Sequence, residues 1–281
     1  MGDALEAALV SFGTGLVFVS LISLVRNDIR TGYGDIFKAS KSKQLPFWRL
    51  GAGVLGALFV FMSTHVVPIL GLALFTVASL AGQTATSLWV DHFGIAGGAK
   101  TVITKRRLIA SLITVSAVIV SVWDRFLSSN FSILAVTLAV CAGSWVGVQR
   151  ALNAQINSFS KKSFATSQLN FITGTAFLLL LLLLRSAFTD HSIMNLTPGP
   201  WWVFLGGSIG VIYIAFTALA VQYLGVLEFT LFSVSGMLVG SLLLDLLLPT
   251  QGTQISPYLI TGIFLTYLGV IANGQSRFSR K

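Results

Sequence analysis

The sequence predicts an all-α fold, a polytopic membrane helix bundle with nine transmembrane helices, and three observations predict it. Apolar runs of about 20 residues, enough to cross the ~30 Å hydrocarbon core of a bilayer as helix, recur along the chain. The composition is 54% hydrophobic and 10% charged with a mean hydropathy of +0.85, far from that of a soluble domain. Lys and Arg crowd into some of the short connections and nearly avoid the others, the charge pattern of a multi-span protein.

The first span runs from about Ala4 to Val25. It is not a signal peptide, because Asp3 and Glu6 stand where a basic segment belongs and the apolar stretch is too long. The polar stretch Arg26 to Gln44 reads as a linker to the second span, Phe47 to Val67, which Pro68 ends. The third span covers Ile69 to Val90, Asp91 to Arg106 forms a basic loop, and the fourth covers Arg107 to Trp123. After the connection Asp124 to Asn130, the fifth span extends from Phe131 to Asn157. The sixth, Ala165 to Leu184, ends in a leucine run from Leu178 that reads as lipid-facing and that Arg185 terminates. Trp201 to Tyr223, Leu227 to Leu248 and Pro257 to Asn273 complete the set, with Pro198, Pro200, Pro249 and Pro257 at the breaks. The single cysteine, Cys141, excludes a disulfide or a cysteine metal cluster within the chain and reads as a packing residue.

The basic residues set an orientation. Fifteen of them, including Arg26, Arg30, Lys38, Lys41, Lys43, Lys105, Arg106, Lys161 and Lys162, fall on one side of the predicted spans, and only Arg125 and Arg185 on the other. By the positive-inside rule the basic side is cytoplasmic, which puts the C-terminus inside and the N-terminus outside. The net charge of +9 is therefore a topology signal, and nucleic acid is not an expected partner.

The chain also repeats itself. At an offset of 154, Pro46 to Asp91 aligns with Pro200 to Asp245 without a gap, and about 14 of the 46 positions are identical. The matches include Gly53 with Gly207, Gly71 with Gly225, Phe75-Thr76 with Phe229-Thr230, Gly82 with Gly236, and Asp91 with Asp245. In a slightly shifted frame Ser11-Phe12 and Gly15 pair with Asn170-Phe171 and Gly174. Residues 1–124 form a first repeat of four spans and 125–281 a second repeat of five. An odd-numbered repeat must invert its second copy, so the expected architecture is an inverted repeat of five-helix units, 4 + 5, with the first helix of the first repeat missing. Either the start is placed too late and a ten-span form exists, or a partner chain supplies the helix.

Three segments carry a resemblance: V-Q-R-A-L-N at Val148 to Asn153, A-A-L-V-S-F-G-T-G at Ala7 to Gly15, and G-Q-T-A-T-S-L-W-V-D-H-F-G at Gly82 to Gly94. They resemble the drug/metabolite transporter superfamily and, more narrowly, its bacterial YdcZ-like branch of inner-membrane proteins, over nearly the whole chain. The resemblance implies a secondary-transporter fold in the inner membrane. It also implies a V-Q-x-x-x-N pattern in the first helix of each half, matched here by Gln149 and Asn153.

The candidate site follows from polarity in an apolar setting. Gln149, Asn153 and Asn157 recur at i, i+4, i+8 on the fifth span, and Arg150 lies three residues before Asn153, so the four share a broad face. A charge near the bilayer interior costs at least about 2.5 kcal/mol, so this face turns to other helices, water or a ligand unless Arg150 snorkels to the interface. Gln149, Arg150 and Asn153, with Gln83 and Thr86 of the third span, are the candidate solute-binding residues; close packing around Gly82 is the competing account of that second group. Asp91, Asp245 and Glu228 are candidates for coupling or gating, against helix-end caps for the two aspartates and a helix-dipole partner for Glu228. His65 reads as an interfacial histidine, and Gly94 to Thr101 is a near miss to a phosphate loop without a preceding strand. Asn130 and Asn195 head accidental glycosylation sequons.

The function expected is secondary-active movement of a small solute by alternating access. The alternative is a non-transporting membrane subunit that needs a partner chain. No nucleophile with a base in reach and no His/Glu metal spacing is present in the sequence, so an enzyme, a metal site and a cofactor are not expected. The partners implied are a small-molecule solute, the lipid bilayer, and a second copy in a homodimer or a partner membrane chain.

Overall fold

The computed structural model describes residues 3–95, 102–125, 132–188 and 201–278, without the side chains at 125, 203, 227, 228, 231, 232, 235, 270 and 272–278. Among these residues there are ten α-helices and no strand. They are α1 (Ala4–Val25), α2 (Asn27–Lys41), α3 (Ala52–Leu70), α4 (Leu72–Phe93), α5 (Lys105–Ser121), α6 (Ile133–Ser160), α7 (Ser163–Phe188), α8 (Leu205–Leu224), α9 (Val226–Leu247) and α10 (Pro257–Phe278). Five stretches are long and apolar enough to cross a membrane: α1, α3 with the 3₁₀ turn before it, α6, α7 and α8. Shorter apolar helical segments lie at Gly236–Leu247 and Pro257–Gly269. Lys100, Asn130, the tripeptide 195–197, Arg280 and Lys281 lie outside the described residues, as do the side chains of Arg125, Glu228 and Arg277.

Four expectations are corrected. The supposed linker after Arg26 is α2, because Ile29, Gly32, Ile36 and Ala39 recur at i, i+3, i+7, i+10 and bury one stripe of a helix that is otherwise polar. Pro68 lies inside α3, and the break falls at Gly71, where the backbone takes φ +82°. The leucine run does not all face outward: Leu178 and Leu182, one turn apart, are buried while Leu179, Leu180 and Leu183 are exposed. Cys141 is exposed on α6 rather than packed.

The chain divides into two compact units that each draw on both halves of the sequence. The first comprises residues 1–61, 95–97 and 149–223. Its apolar core joins Leu5, Leu9, Phe12 and Val19 of α1 to Phe171, Leu178 and Leu182 of α7 and Val211 of α8. The α1–α7 contact is reciprocal. Gly15 lies against the Phe171 ring, Gly174 lies against the Phe12 ring, and the two rings sit 5.1 Å apart between centroids, so the helices run antiparallel. At one end Arg185 pairs with Asp3 and, at 3.0 Å, with the buried Glu6, which compensates a carboxylate that burial alone would penalise.

The second unit comprises residues 62–94, 98–148 and 224–281. Its centre is the antiparallel pair α4 and α9, whose ends cap each other. Asp245 near the end of α9 accepts from the amides of Leu72 and Ala73 at 2.9 and 2.6 Å, and Asp91 near the end of α4 accepts from Val226 N at 3.1 Å. The residues that precede the two helices are Gly71 and Gly225, at φ +82° and +84°, which have no side chain to cap with. A helix start leaves its first N–H groups without partners, and a carboxylate there also suits the helix dipole. On the other face α4 meets α6 backbone to backbone, because a Cβ at Gly82 would strike Val140 O and one at Gly143 would strike Ser79 O. The α5–α10 pair closes similarly at Gly262 and Gly269.

Candidate functional site

The polar face of α6 is buried and ordered by neighbours in the first unit. Gln149, Arg150, Asn153 and Asn157 are all nearly inaccessible, at 7%, 3%, 1% and 1% of full exposure. Asn170 of α7 is the hub. Its Oδ1 accepts from Gln149 Nε2 at 3.0 Å, and its Nδ2 donates to Asn153 Oδ1 at 2.6 Å and to Thr166 O at 2.9 Å. Arg150 Nη2 donates to Tyr213 Oη of α8 at 2.7 Å, and Asn157 Nδ2 donates to Gln222 Oε1 at 2.6 Å. Arg49, just before α3, donates to Gln155 Oε1. In low dielectric each unmet polar group costs about 1 to 3 kcal/mol, which is why the amides are chained together and why α6, α7 and α8 can bring this face inside.

Room for the network comes from α3. A Cβ at Gly53 would strike Asn170 O and one at Gly56 would strike Gln149 Nε2, so this G-x-x-G step packs on the polar cluster itself. Asn157 Oδ1 is buried without a hydrogen-bond partner among the described residues. Arg150 supplies a fixed, buried cation in this cluster, held by its bond to Tyr213.

Gln83 and Thr86 lie in the second unit, on α4. Gln83 is fully buried, and among the described residues neither its Nε2 nor its Oε1 has a hydrogen-bond partner. Thr86 packs beside Gly147 of α6, where an added Cβ would come within 3.1 Å of Thr86 Cβ. Ser87, one residue on, lies 3.4 Å from Thr230 Oγ1 of α9. Asp91 and Asp245 hold the helix-end positions described above. Asp91 also pairs with Arg107 at 2.8 Å, and Asp245 also accepts from Thr253 Oγ1 at 3.1 Å. Glu228 lies in the first turn of α9.

Sequence reasoning about the site did not single out Asn170, Tyr213 or Gln222. Asn170 was visible as the repeat mate of Ser11, a polar replacement in an apolar helix, and Gln222 as a lone amide near the end of α8. Tyr213 carried no signal, because nothing in its neighbourhood of the chain places it opposite Arg150.

Ten α-helices among the described residues, five of them long and apolar enough to cross a bilayer, with a buried amide and guanidinium cluster in the first unit, define a multi-pass membrane protein. The family model described as "Putative inner membrane exporter, YdcZ" matches residues 1–120 and 134–272, nearly the whole chain. The chain belongs to that family, and it is an inner-membrane transporter of the drug/metabolite type. A search of curated proteins gives no match.

Proposed function

We propose that the chain moves a small anionic or carboxylate-bearing solute by alternating access between two inverted repeats, as a secondary-active transporter and not as an enzyme. The observation that carries this reading is Arg150, a guanidinium only 3% exposed, set among chained amides in an apolar protein. A buried cation that served packing alone would be a costly choice, and intramembrane ionisable groups mark solute or ion pathways as a rule. The inverted arrangement is supported by the antiparallel, reciprocal contacts of repeat-related helices: Gly15 with Phe171 and Phe12 with Gly174, then Asp91 with Val226 and Asp245 with Leu72.

In this reading nine helices cross the bilayer, α2 does not, and the basic side is cytoplasmic with the C-terminus inside. Gln149 and Asn153 orient the solute beside Arg150, while Gln83 and Thr86 offer a second polar surface. The amide of Gln83, without a hydrogen-bond partner among the described residues, supports a polar occupant there. Asp91 and Asp245 act as latches at the ends of α4 and α9, whose release and re-formation would accompany the conformational cycle, and Glu228 is the coupling carboxylate. Flux assays in proteoliposomes with a panel of radiolabelled carboxylates and amino acids test the proposal. Carboxylate flux should fall about 100-fold or more in Arg150→Ala and recover in part in Arg150→Lys. Unchanged flux in Arg150→Ala would remove Arg150 from the pathway.

A further inference from the structure

The helix that the sequence reads as a linker has two unlike edges. At 100° per residue, Tyr33 and Phe37 border the buried stripe of α2 on one side, and Arg30, Lys41 and Lys38 follow them around the helix. Asp28 and Asp35 border the stripe on the opposite side. One edge is thus aromatic and basic, the other acidic. Tyr33 and Phe37 stand 5.7 Å apart between ring centroids, Phe37 is 46% exposed, and Arg30, Lys38 and Lys41 are exposed beside them.

The level of this edge is fixed by its neighbours. α1, with 22 residues, is about 33 Å long, matching the ~30 Å hydrocarbon thickness, so the chain leaves the apolar layer at Arg26. There the backbone turns through an extended residue, φ −106° and ψ 99°, and α2 departs from the α1 axis. α2 then packs on the start of α7, where an added Cβ at Gly32 would come within 2.8 Å of Lys162 Cβ. Arg30 Nη2 donates to Leu24 O, holding the first turn of α2 to the last turn of α1. Exposed Phe47 and Trp48 follow just beyond α2.

We propose that α2 lies along the membrane surface and binds anionic phospholipid headgroups through Arg30, Lys38 and Lys41, with Tyr33 and Phe37 dipping below them. Aromatic rings favour the boundary between headgroup and acyl chain, and each basic residue near an anionic surface strengthens binding roughly fivefold at moderate salt. The acidic edge faces water, away from the lipid phosphates. This role is independent of which solute is carried, and needs only that α1 spans the bilayer.

The test uses the full chain in vesicles, with Phe37→Cys in a Cys141→Ala background carrying a bimane label in place of the ring. Quenching by brominated phosphatidylglycerol and by brominated phosphatidylcholine gives the relative affinity of the two lipids for the α2 edge. The anionic lipid should bind at least about tenfold more tightly, and Arg30→Gln/Lys38→Gln/Lys41→Gln should bring the ratio near one. Lys41→Gln alone should lower it about fivefold, which keeps the test open if the triple variant misfolds. Lys105→Gln/Arg106→Gln should leave it unchanged. A label quenched by neither lipid, a ratio near one in the unaltered protein, a ratio indifferent to Lys41→Gln, or an equal loss in the Lys105/Arg106 variant would overturn the assignment.

Discussion

Removing the hub of the amide cluster is the sharpest test of the site. Asn170→Ala deletes the acceptor for Gln149 Nε2 and the donor to Asn153 Oδ1, and both stranded groups belong to side chains no more than 7% exposed. Interhelical hydrogen bonds in membrane proteins average about 0.6 kcal/mol with a maximum near 1.7, whereas a buried polar group left without a partner costs about 1 to 3 kcal/mol. Asn170 is itself fully buried, so water cannot replace it without rearrangement, and the stranding cost sets the scale. The expected loss is about 2 to 4 kcal/mol in equilibrium unfolding in mixed micelles. Adding Asn153→Ala removes one of the two stranded groups, so the double variant should be less destabilised than the sum by about 1 kcal/mol. Asn170→Asp keeps the acceptor but loses both donated bonds and buries a charge, and should be no better than alanine. A loss below about 0.5 kcal/mol for Asn170→Ala, or strict additivity with Asn153→Ala, would refute the hub.

Two further substitutions separate packing from polarity. Gly82→Ala drives a Cβ into Val140 O and should cost about 1 to 3 kcal/mol, while its repeat mate Gly236→Ala, with nothing within 4 Å among the described residues, should be neutral or slightly stabilising in the same unfolding assay. Asp245→Ala removes the partner of two helix-start amides and of Thr253 Oγ1, and should cost about 2 kcal/mol; Asp245→Asn, which keeps one acceptor oxygen, should cost about half as much. Equal effects of alanine and asparagine at this position would show that the carboxylate caps nothing.

Much of the fold was legible in the sequence because lipid leaves the chain few choices. A segment such as Ala4 to Val25 must satisfy its backbone internally, so apolar length alone marks a helix, and α1 has those bounds. The helix-end positions Gly71, Gly225, Asp91 and Asp245 were legible too, since these are residue types with specific backbone and capping uses. So was the polar face of α6, because Gln149, Arg150, Asn153 and Asn157 violate the apolar pattern around them.

Tertiary structure decided the rest. Whether a leucine meets lipid or core depends on which neighbour covers it, and Leu178 and Leu182 differ from Leu179 and Leu183 only by their turn around α7. α2 escaped a search for apolar length because a helix that buries a narrow stripe against protein needs only Ile29, Gly32, Ile36 and Ala39. The sequence by itself determined that a cation and three amides share one helix face. Only the packing of α7 and α8 decided that Asn170, Tyr213 and Gln222 answer them, because a hydrogen bond between residues 17 to 65 positions apart follows from helix placement and not from local sequence.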